Sequence, residues 1–422
     1  MTNIQKPKGT MDILPDKSYV WQYIESCARE VCAKSGYGEI RLPTFEVTEL
    51  FNRGVGGTTD IVQKEMYTFT DKDGRSMSLR PEGTAGVVRS IIENGLCMQA
   101  MPLKLYYISN FFRYEKPQAG RSREFFQFGC ETFGSDSPLA DAEVIFLAAD
   151  LFRRLGVKSV ELKLNSIGCG ECRGDFREAL KAYFSERKEG LCDTCKGRLE
   201  TNPLRILDCK CPECKAIAAD APKTVDYLCD KCRDSFDTLQ RILSASGLEY
   251  EVDPFIVRGL DYYTGTVFEF VSNIGAQSTV CGGGRYNTLV ESLGGPALSG
   301  VGFGMGITRL IAAMEMDGVL PEDCSAPDIY IASACPEARE RAYLLARALR
   351  GAGLKAESDL CERSLKAQMK YADKKKAAYS IVLGTDELEK GEATLKDMLR
   401  GGAYTVALDP ADIKAKMCNE AE

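Results

Sequence analysis

The sequence predicts a mixed α/β chain of the α+β kind, with an antiparallel-sheet domain, a helical cysteine-rich insertion within it, and a C-terminal α/β domain. Three observations predict this arrangement. Aromatic segments with strand alternation flank turn-forming residues, nine cysteines cluster in a charged helical stretch, and strands alternate with helices near the C-terminus. We expect the first domain to span residues 1–324, interrupted by the insertion at 166–245, and the second to span 325–422.

The composition is that of an ordinary globular chain, with 44% hydrophobic and 27% charged residues among 422. No apolar stretch has the length of a membrane span, and the N-terminal sequence MTNIQKPKGT lacks the apolar core of a signal peptide. We therefore expect a cytoplasmic protein with no membrane partner. In that compartment the 18 cysteines stay reduced or bind metal rather than form disulfides.

The net charge and the histidine content restrict the kinds of ligand and reaction that this chain can support. A net charge of −7 argues against a non-specific nucleic-acid coat, although a local basic patch for one RNA partner stays open. The chain contains no histidine, which excludes Ser-His-Asp and Cys-His nucleophile systems and an HExxH metal site. Chemistry must therefore use carboxylates, arginines, backbone donors, cysteines or bound ions. Phosphoryl or nucleotidyl displacement fits, because it needs positioning and charge neutralisation more than a protein base.

The N-terminal region begins with an amphipathic helix and a strand. Residues 17–35 place apolar side chains at helical spacing, and glycines end that helix. The following segment, EIRLPTFEVTELF, has strand composition interrupted by Pro43. Because proline in a sheet belongs at an edge or a bend, this is either a strand that contacts another subunit or an ordinary edge strand.

A predicted hairpin turns at Asp73-Gly74, and a helix begins near Thr84 after the sequence LRPEG. Glu82 stands just before that helix. Its carboxylate can cap the helix N-terminus, or it can face a cleft and bind the amine of a ligand. The sequence leaves both interpretations open.

A longer hairpin is predicted between Lys104 and Phe133, where two apolar-aromatic runs flank the polar loop KPQAGRSR. Strand parity places four residues of the return strand on one face, namely Phe125, Gln127, Gly129 and Glu131. Arg113 and Glu115 share a face of the outgoing strand. A solvated sheet face would explain such alternation. The loop cations and the carboxylates instead favour a surface for a polar ligand.

The insertion carries the nine clustered cysteines, at positions 169, 172, 192, 195, 209, 211, 214, 229 and 232. Paired CxxC units suit tetrahedral zinc, since each unit presents two thiolates to one ion. The alternative is a set of reduced thiols on a helical insertion. We favour the reduced thiols at this point, so the metal ligands stay unknown and zinc stays possible.

Glycines alternate with apolar residues from Gly300 to Gly306 and lead into a helix that carries Arg309. Glycine at every second strand position clears one face, either for a flat ligand or for close packing of a neighbouring element. The arginine favours a nucleotide. The sequence lacks the strand-GxGxxG context of a dinucleotide fold and the lysine of a P-loop. Earlier in the chain, Arg258 precedes a segment whose aromatic residues and alternation predict a strand.

The C-terminal domain contains the main cationic cluster, a helix with Lys366, Lys370, Lys374, Lys375 and Lys376. A solvated helix face is the ordinary explanation of such a cluster. A patch that binds an RNA backbone is the more specific one.

Taken together, these segments resemble class II aminoacyl-tRNA synthetases, and histidyl-tRNA synthetases in particular. The resemblance covers nearly the whole chain and rests, in order, on KPKGTMDILP, GYGEIRLPTFE, LRPEGTA, FRYEKPQAGRSREFFQFGCE, VRGLDYYTGTVFEF, GGRY and GFGMGITRL. It implies an ATP- and Mg²⁺-dependent ligase that activates histidine and esterifies tRNA-His. The same resemblance implies a class II catalytic domain, an anticodon-binding domain at 325–422, and a homodimer.

The resemblance also implies roles for individual residues. Catalytic roles fall to Arg113, Arg258 and Gln127. ATP binding falls to Arg113, Glu115, Arg121, Phe125 and Arg309. Histidine binding falls to Glu82, Thr84, Gln127, Glu131, Arg258, Tyr263 and Tyr286. Three positions depart from the family pattern, namely Ser122, Phe126 and Cys281.

Three other functions are weighed against the ligase. A paralogue of this family acts as a regulatory subunit of ATP phosphoribosyltransferase, but it typically lacks the anticodon domain and the catalytic arginine. This chain has Arg258 and roughly a hundred C-terminal residues. Another synthetase of the same subclass is disfavoured by VRGLDYYTG. A plain RNA-binding protein would have no use for the ATP-binding face.

Overall fold

The computed structural model describes residues 3–57, 59–118, 120–207, 209, 211–272 and 279–419. Contacts between residues divide the chain into two compact units, Met1–Pro321 and Glu322–Glu422. The predicted domain boundary lies three residues beyond this division. Within the described part of the chain, no helix is long and apolar enough to cross a membrane.

Eight strands of the first unit form one large sheet: β1 (Gly38–Glu39), β5 (Leu103–Phe112), β6 (Glu124–Phe133), β7 (Glu161–Ser166), β8 (Glu251–Val252), β9 (Thr264–Val271), β10 (Thr279–Arg285) and β11 (Gly300–Gly306). Their order is β1-β5-β6-β11-β10-β9-β7-β8. All neighbours are antiparallel except the outermost pairs, β1 with β5 and β7 with β8. The predicted antiparallel-sheet domain is therefore confirmed.

The helices of the first unit outside the insertion are α1 (Pro15–Lys34), α2 (Thr48–Gly54), α3 (Thr84–Glu93), α4 (Pro138–Leu155), α10 (Leu289–Ser292) and α11 (Ile307–Asp317). Short turns of other helix types occur at Ile61–Glu65 and Leu96–Met98. The helices predicted at 17–35 and from Thr84 are confirmed.

The main hydrophobic core lies on one face of the large sheet. Helices α1, α4 and α11 cover Phe128 and Cys130 of β6 there, together with residues of β9 and β11. Trp21 of α1 meets Phe126 edge-on, with 5.0 Å between ring centroids. Alternate residues of β6 lie in this core, so Gln127 and the residues in phase with it lie on the opposite face of the sheet. The parity prediction for the hairpin is confirmed.

The prediction of one strand at 39–51 is wrong. This stretch contributes β1 to the large sheet, then β2 (Phe45–Val47) to a separate sheet, and then becomes α2. Pro43, which has no backbone N–H, lies between the two short strands where the chain leaves one sheet for the other. The separate sheet has the order β2-β4-β3, with β3 (Thr68–Thr70) and β4 (Ser76–Leu79) forming the predicted hairpin.

The insertion is helical, as predicted, with α5 (Gly170–Ser185), α6 (Asp193–Thr201), α7 (Leu204–Leu207), α8 (Pro212–Ala218) and α9 (Asp230–Ala245). Single turns of 3-10 helix lie at Lys188–Gly190 and Thr224–Tyr227. Helices α5 to α8 enclose a core of their own around Phe176, Leu180 and Phe184. Helix α9 instead packs on α4 and joins the main core.

The second unit is a compact α/β domain. Its strands are β12 (Ile329–Ser333), β13 (Ala356–Ser358), β14 (Tyr379–Leu383), β15 (Glu392–Asp397) and β16 (Ala403–Ala407), in the order β13-β12-β14-β15-β16. Its helices are α12 (Ala338–Gly351), α13 (Leu365–Lys374), α14 (Thr385–Lys390) and α15 (Pro410–Asn419). The five lysines of the cationic cluster lie in α13 and just beyond it, and all are exposed.

Candidate active site

A pocket opens on the face of the large sheet opposite the main core. Strands β6, β10 and β11 form its floor, and the β5–β6 connection, the start of α3 and the loop 258–263 form its rim. Ten of the twelve residues with predicted roles line it, namely Glu82, Thr84, Arg113, Glu115, Arg121, Phe125, Gln127, Arg258, Tyr263 and Arg309. The other two, Glu131 and Tyr286, are buried and do not line it.

Four arginines line this pocket, among them Arg113, Arg121 and Arg309. The guanidinium of Arg113 lies 5.2 Å from the ring centroid of Phe125, and Arg121 Nη1 lies 3.0 Å from Glu115 Oε2. Burial and the nearby Arg121 lower the pKa of Arg309, so these guanidinium groups repel one another across a short distance. Such an arrangement suits a polyanion, because guanidinium groups bind phosphate oxygens in pairs.

Backbone contacts hold these arginines in place. Arg113 directly follows β5, and its N–H donates to the carbonyl of Arg123 at 2.9 Å, which extends the strand pairing. Arg309 lies in the first turn of α11. Its Nη1 donates to the carbonyl of Thr279 at 2.6 Å and its Nε to that of Gly120 at 3.2 Å. The arginine therefore joins the β5–β6 connection to the start of β10.

Arg258 is held by an acidic partner that the sequence did not suggest. Its Nη1 forms a short ion pair with Glu269 of β9, and Thr279 Oγ1 donates to the other oxygen of that carboxylate at 2.7 Å. Burial lowers the pKa of Arg258, but Glu269 and Tyr263 raise it by more than burial lowers it. The net shift of this pKa is therefore upward. Its buried Nε has no hydrogen-bond acceptor among the described residues. The guanidinium is thus charged, fixed and able to donate to a ligand.

The glycines of β10 and β11 make room for neighbouring groups, which is one of the two purposes that the sequence left open. A Cβ at Gly302 would lie 1.9 Å from Glu131 Oε2, and one at Gly282 would lie 2.6 Å from Arg258 Nη1. These glycines make room for neighbouring side chains. Gly282 and Gly304 also line the pocket, and a Cβ at Gly304 would approach the amide of Gln127 at 3.2 Å.

Glu82 caps a helix and also faces the pocket. Its carboxylate accepts from the backbone N–H groups of Thr84 at 2.7 Å and Ala85 at 2.8 Å, at the start of α3. The hydroxyl of Tyr262 lies 3.5 Å from the same carboxylate. Burial raises the pKa of Glu82 despite these donors. Both interpretations of this residue are therefore compatible with the structure.

Glu131 lies at the centre of a buried hydroxyl network. Thr84 Oγ1 donates to its Oε1 at 2.8 Å, the Tyr107 hydroxyl lies 3.4 Å from the same oxygen, and Tyr286 donates to Oε2. The side chain is fully buried, and burial raises its pKa to about 8. Two members of the network, Thr84 and Tyr107, line the pocket. The carboxyl group therefore reaches the pocket through these hydroxyls.

Known proteins match both parts of the chain. A family model described as histidyl-tRNA synthetase matches residues 9–171 and 210–310, and one described as an anticodon binding domain matches residues 328–412. The chain belongs to the histidyl-tRNA synthetase family. The first match is interrupted over residues 172–209, within the cysteine-rich insertion.

Individual relatives of the family are similar over almost their whole length. A histidine–tRNA ligase of Acetivibrio thermocellus is 54% identical over 98% of this chain and 99% of its own. One of Caldanaerobacter subterraneus is 53% identical over 96% and 97%. The crystal structure of the apo histidyl-tRNA synthetase of S. aureus matches with a TM-score of 0.83 and 38% identity, covering 98% of this chain and 100% of the other.

Sequence reasoning missed two residues that line the pocket, Tyr107 and Tyr262, and one that holds a pocket arginine, Glu269. Tyr107 was detectable, because it stands six residues before Arg113 and therefore shares its face of the outgoing strand. Tyr262 lies within the quoted motif VRGLDYYTG. Glu269 gave no signal, since its partner Arg258 precedes the strand and its pairing depends on the tertiary fold.

The three departures from the family pattern have different environments. Ser122 lines the pocket, in the β5–β6 connection. Phe126 packs on Trp21 at the edge of the main core and also borders the pocket. Cys281 is fully buried in the main core. Two of the three thus lie at the pocket, and the third contributes only to packing.

Proposed function

We propose that this protein is a histidine–tRNA ligase that activates histidine with ATP to histidyl-adenylate and transfers it to the 3′ end of tRNA-His. The observation that carries the proposal is a single pocket with arginines on one side and buried carboxyl groups on the other. A nucleotide polyphosphate complements the charge of the arginines, and the carboxyl oxygens accept hydrogen bonds from the cationic amine of an amino acid. The identity of the amino acid and of the tRNA is inferred from the relatives described as histidine–tRNA ligases.

On the nucleotide side, Arg113 and Arg309 bind phosphate oxygens of ATP and Phe125 stacks on its base. Arg121 and Glu115, which face each other at 3.0 Å, close over the nucleotide from the β5–β6 connection. The ring of Phe125 already lies beside the Arg113 guanidinium, so an aromatic base adds to an existing stack.

The residues present fit the Mg²⁺ that the family uses. Mg²⁺ prefers carboxylate and phosphate oxygens, and Glu115 presents a carboxylate at the pocket, where its Oε2 lies 3.0 Å from Arg121 Nη1. We propose that Glu115 holds the ion together with ATP. When bound, the ion neutralises phosphate charge.

On the amino-acid side, Glu82, Thr84 and Gln127 bind the amino and carboxylate groups of histidine. Tyr263 and the Glu131 network read the imidazole. Glu131 acts through the hydroxyls that it orients, and Tyr286 holds its other oxygen. Polar partners for both ring nitrogens favour histidine, because any other side chain would leave buried groups unpaired.

The chemistry needs no general base, which agrees with a chain that contains no histidine. The carboxylate of the amino acid is itself the nucleophile toward the α-phosphate. Negative charge develops on the phosphate oxygens, where Arg113 and Arg258 stabilise it. Gln127 fixes the carboxylate against the phosphorus, so positioning supplies the remaining rate enhancement.

The rest of the proposal concerns partners. The domain at 325–422 binds the anticodon end of tRNA-His, and the exposed lysines of α13 contact its phosphates. The protein acts in the cytoplasm as a homodimer. Sedimentation of the full-length protein tests the dimer, since a single species of 46.4 kDa would contradict it.

Pyrophosphate exchange with each amino acid in turn tests the function. We expect exchange with histidine alone, and no exchange with any amino acid would favour the regulatory paralogue. The Arg258→Ala variant should lose adenylate formation by at least 100-fold, on the order of 3 kcal/mol of transition-state stabilisation. Arg75→Ala is the matched control, because Arg75 lies exposed in the β3–β4 turn and, among the residues that the structure describes, forms ion pairs with Asp71 and Asp73 alone. Exchange by Arg258→Ala at the control's rate would refute the assigned role.

A further inference from the structure

Eight of the nine cysteines in the insertion come together in two groups of four. Cys169, Cys172, Cys229 and Cys232 form what we call the proximal tetrad. Cys192, Cys195, Cys209 and Cys214 form the distal tetrad. Within each tetrad all four sulfur atoms lie within 4.8 Å of one another. We propose that each tetrad binds one structural Zn²⁺ ion through four thiolates.

The sulfur separations match a tetrahedral zinc site. With a Zn–S bond of about 2.3 Å, the edges of the sulfur tetrahedron measure about 3.8 Å. The Sγ atom of Cys169 lies 3.6 Å from that of Cys172 and 3.9 Å from that of Cys229. In the distal tetrad, the Sγ atom of Cys192 lies 3.9 Å from that of Cys209. A disulfide needs about 2.05 Å, so these thiols are not bonded to one another. A four-iron cluster needs space between its thiolates that these separations do not leave.

Backbone groups around the sulfurs support thiolate ligands. The N–H of Cys229 donates to Cys172 Sγ at 3.1 Å, and that of Cys192 donates to Cys214 Sγ at 3.2 Å. In each tetrad this bond links one cysteine pair to the other. N–H groups directed at sulfur stabilise negative charge there and orient the ligands, as outer contacts do at metal sites.

Helix starts position the cysteine pairs. Cys169, Cys192 and Cys229 are the residues that precede α5, α6 and α9, and their partners lie three residues on, in the first turn. Both sulfurs of each pair thus lie near a helix N-terminus, where the helix dipole favours a thiolate.

The ninth cysteine is excluded by the structure. Cys211 would complete a CxxC unit with Cys214, but its thiol donates to Glu213 Oε2 at 2.8 Å. Cys209 takes its place in the distal tetrad. The fourth ligand is therefore two residues earlier than the CxxC spacing suggests, and Cys211 provides a control within the same segment.

The two ions would have different structural tasks. The proximal tetrad fastens the first helix of the insertion, α5, to its last, α9, next to the backbone bond from Gly265 to Gly168. Helix α5 also carries Arg173, which donates to the carbonyl of Tyr263 in the pocket. The distal tetrad closes the small core of α5 to α8. A core of that size gains from a metal, since few apolar side chains are available to hold it.

Metal content of the full-length protein tests the proposal. Protein from zinc-supplemented culture, purified without a metal-chelating tag and dialysed against metal-free buffer, should contain two zinc ions per chain by mass spectrometry. A content of one or none would overturn the proposal, and so would iron in place of zinc. Chelation at high temperature should release the metal and lower the melting temperature, and an unchanged melting temperature after release would also count against it.

Variants assign the ligands. Cys232→Ser and Cys192→Ser should each lower the content from two zinc ions to one, while Cys211→Ser should keep two. Loss of zinc in Cys211→Ser, or two ions in either of the others, would contradict the tetrads. Cobalt substitution of the unaltered chain gives an answer even if a variant fails to fold. Two cobalt ions should bind with the visible absorption of tetrahedral cobalt thiolate, and octahedral spectra would refute the geometry.

Discussion

The buried carboxyl group of Glu131 makes the stability of this protein depend on pH in a defined direction. Burial raises its pKa from 4.5 to about 8 in the folded protein. A group with a raised pKa binds its proton more tightly when folded, so the folded state gains stability at low pH and loses it as pH rises through the folded pKa. For Glu131 the loss therefore begins near pH 4.5, the pKa of the unfolded carboxyl, and is nearly complete just above pH 8.

The size of the effect follows from the two pKa values. At pH 6 the folded carboxyl is protonated and the unfolded one is ionised, which contributes about 3 kcal/mol. At pH 9 both states are ionised and the contribution is close to zero. The Glu131→Gln variant keeps the shape of the side chain but cannot ionise. Its free energy of unfolding should therefore fall less than that of the unaltered protein between these pH values, by roughly 2–3 kcal/mol.

Urea denaturation of both proteins at pH 6 and pH 9 measures this difference. Other titrating groups, including Glu82, remain in both proteins. The change in the free energy of unfolding between pH 6 and pH 9 is therefore compared between the two proteins, and its difference reports on Glu131. A parallel fall in stability for variant and unaltered protein would refute the reasoning. That result would mean that Glu131 is ionised at neutral pH and that its three hydroxyl partners offset the burial.

Two further predictions concern packing beneath the pocket. Gly302→Ala should destabilise the fold by about 3 kcal/mol or more, because its Cβ would lie 1.9 Å from Glu131 Oε2, whereas Gly304→Ala should fold and lose pyrophosphate exchange. Equal melting temperatures of the two variants would contradict the assignment. Asp141→Asn should cost about 3–5 kcal/mol in urea denaturation, because Asp141 is fully buried and accepts from Arg285 Nε at 3.1 Å. An unaltered midpoint would show that this pair is not stabilising.

The hairpin at the centre of the site was predictable because its information is local. Alternation along β6 places Gln127 and Phe128 on opposite faces, and the two faces proved to be pocket and core. Arg309 was predictable for a similar reason, since a glycine-rich strand followed at once by a helix fixes the position of a first-turn side chain. Sequence patterns of this kind predict both the type of secondary structure and the face on which a side chain lies.

Pairings between distant segments were not predictable. The CxxC units were visible, but Cys169 joins Cys229 across 60 residues, and Cys209 rather than Cys211 joins Cys192. Likewise, nothing near Glu269 in the sequence indicates Arg258. Strand propensity also failed for residues 39–51, because the segments on either side of Pro43 pair with strands of two different sheets. In each case the partner is chosen by the tertiary fold.

The acidic side of the pocket bears on what the pocket binds. Glu82 and Glu131 are both buried with raised pKa values, and neither forms an ion pair within the described part of the chain. Burying two carboxyl groups without a cation is unfavourable, and their proximity raises the pKa of Glu131 further. A ligand that brings a protonated amine to this side removes part of that disadvantage. A nucleotide alone would leave it in place, so the acidic side favours the proposed binding of an amino acid beside ATP.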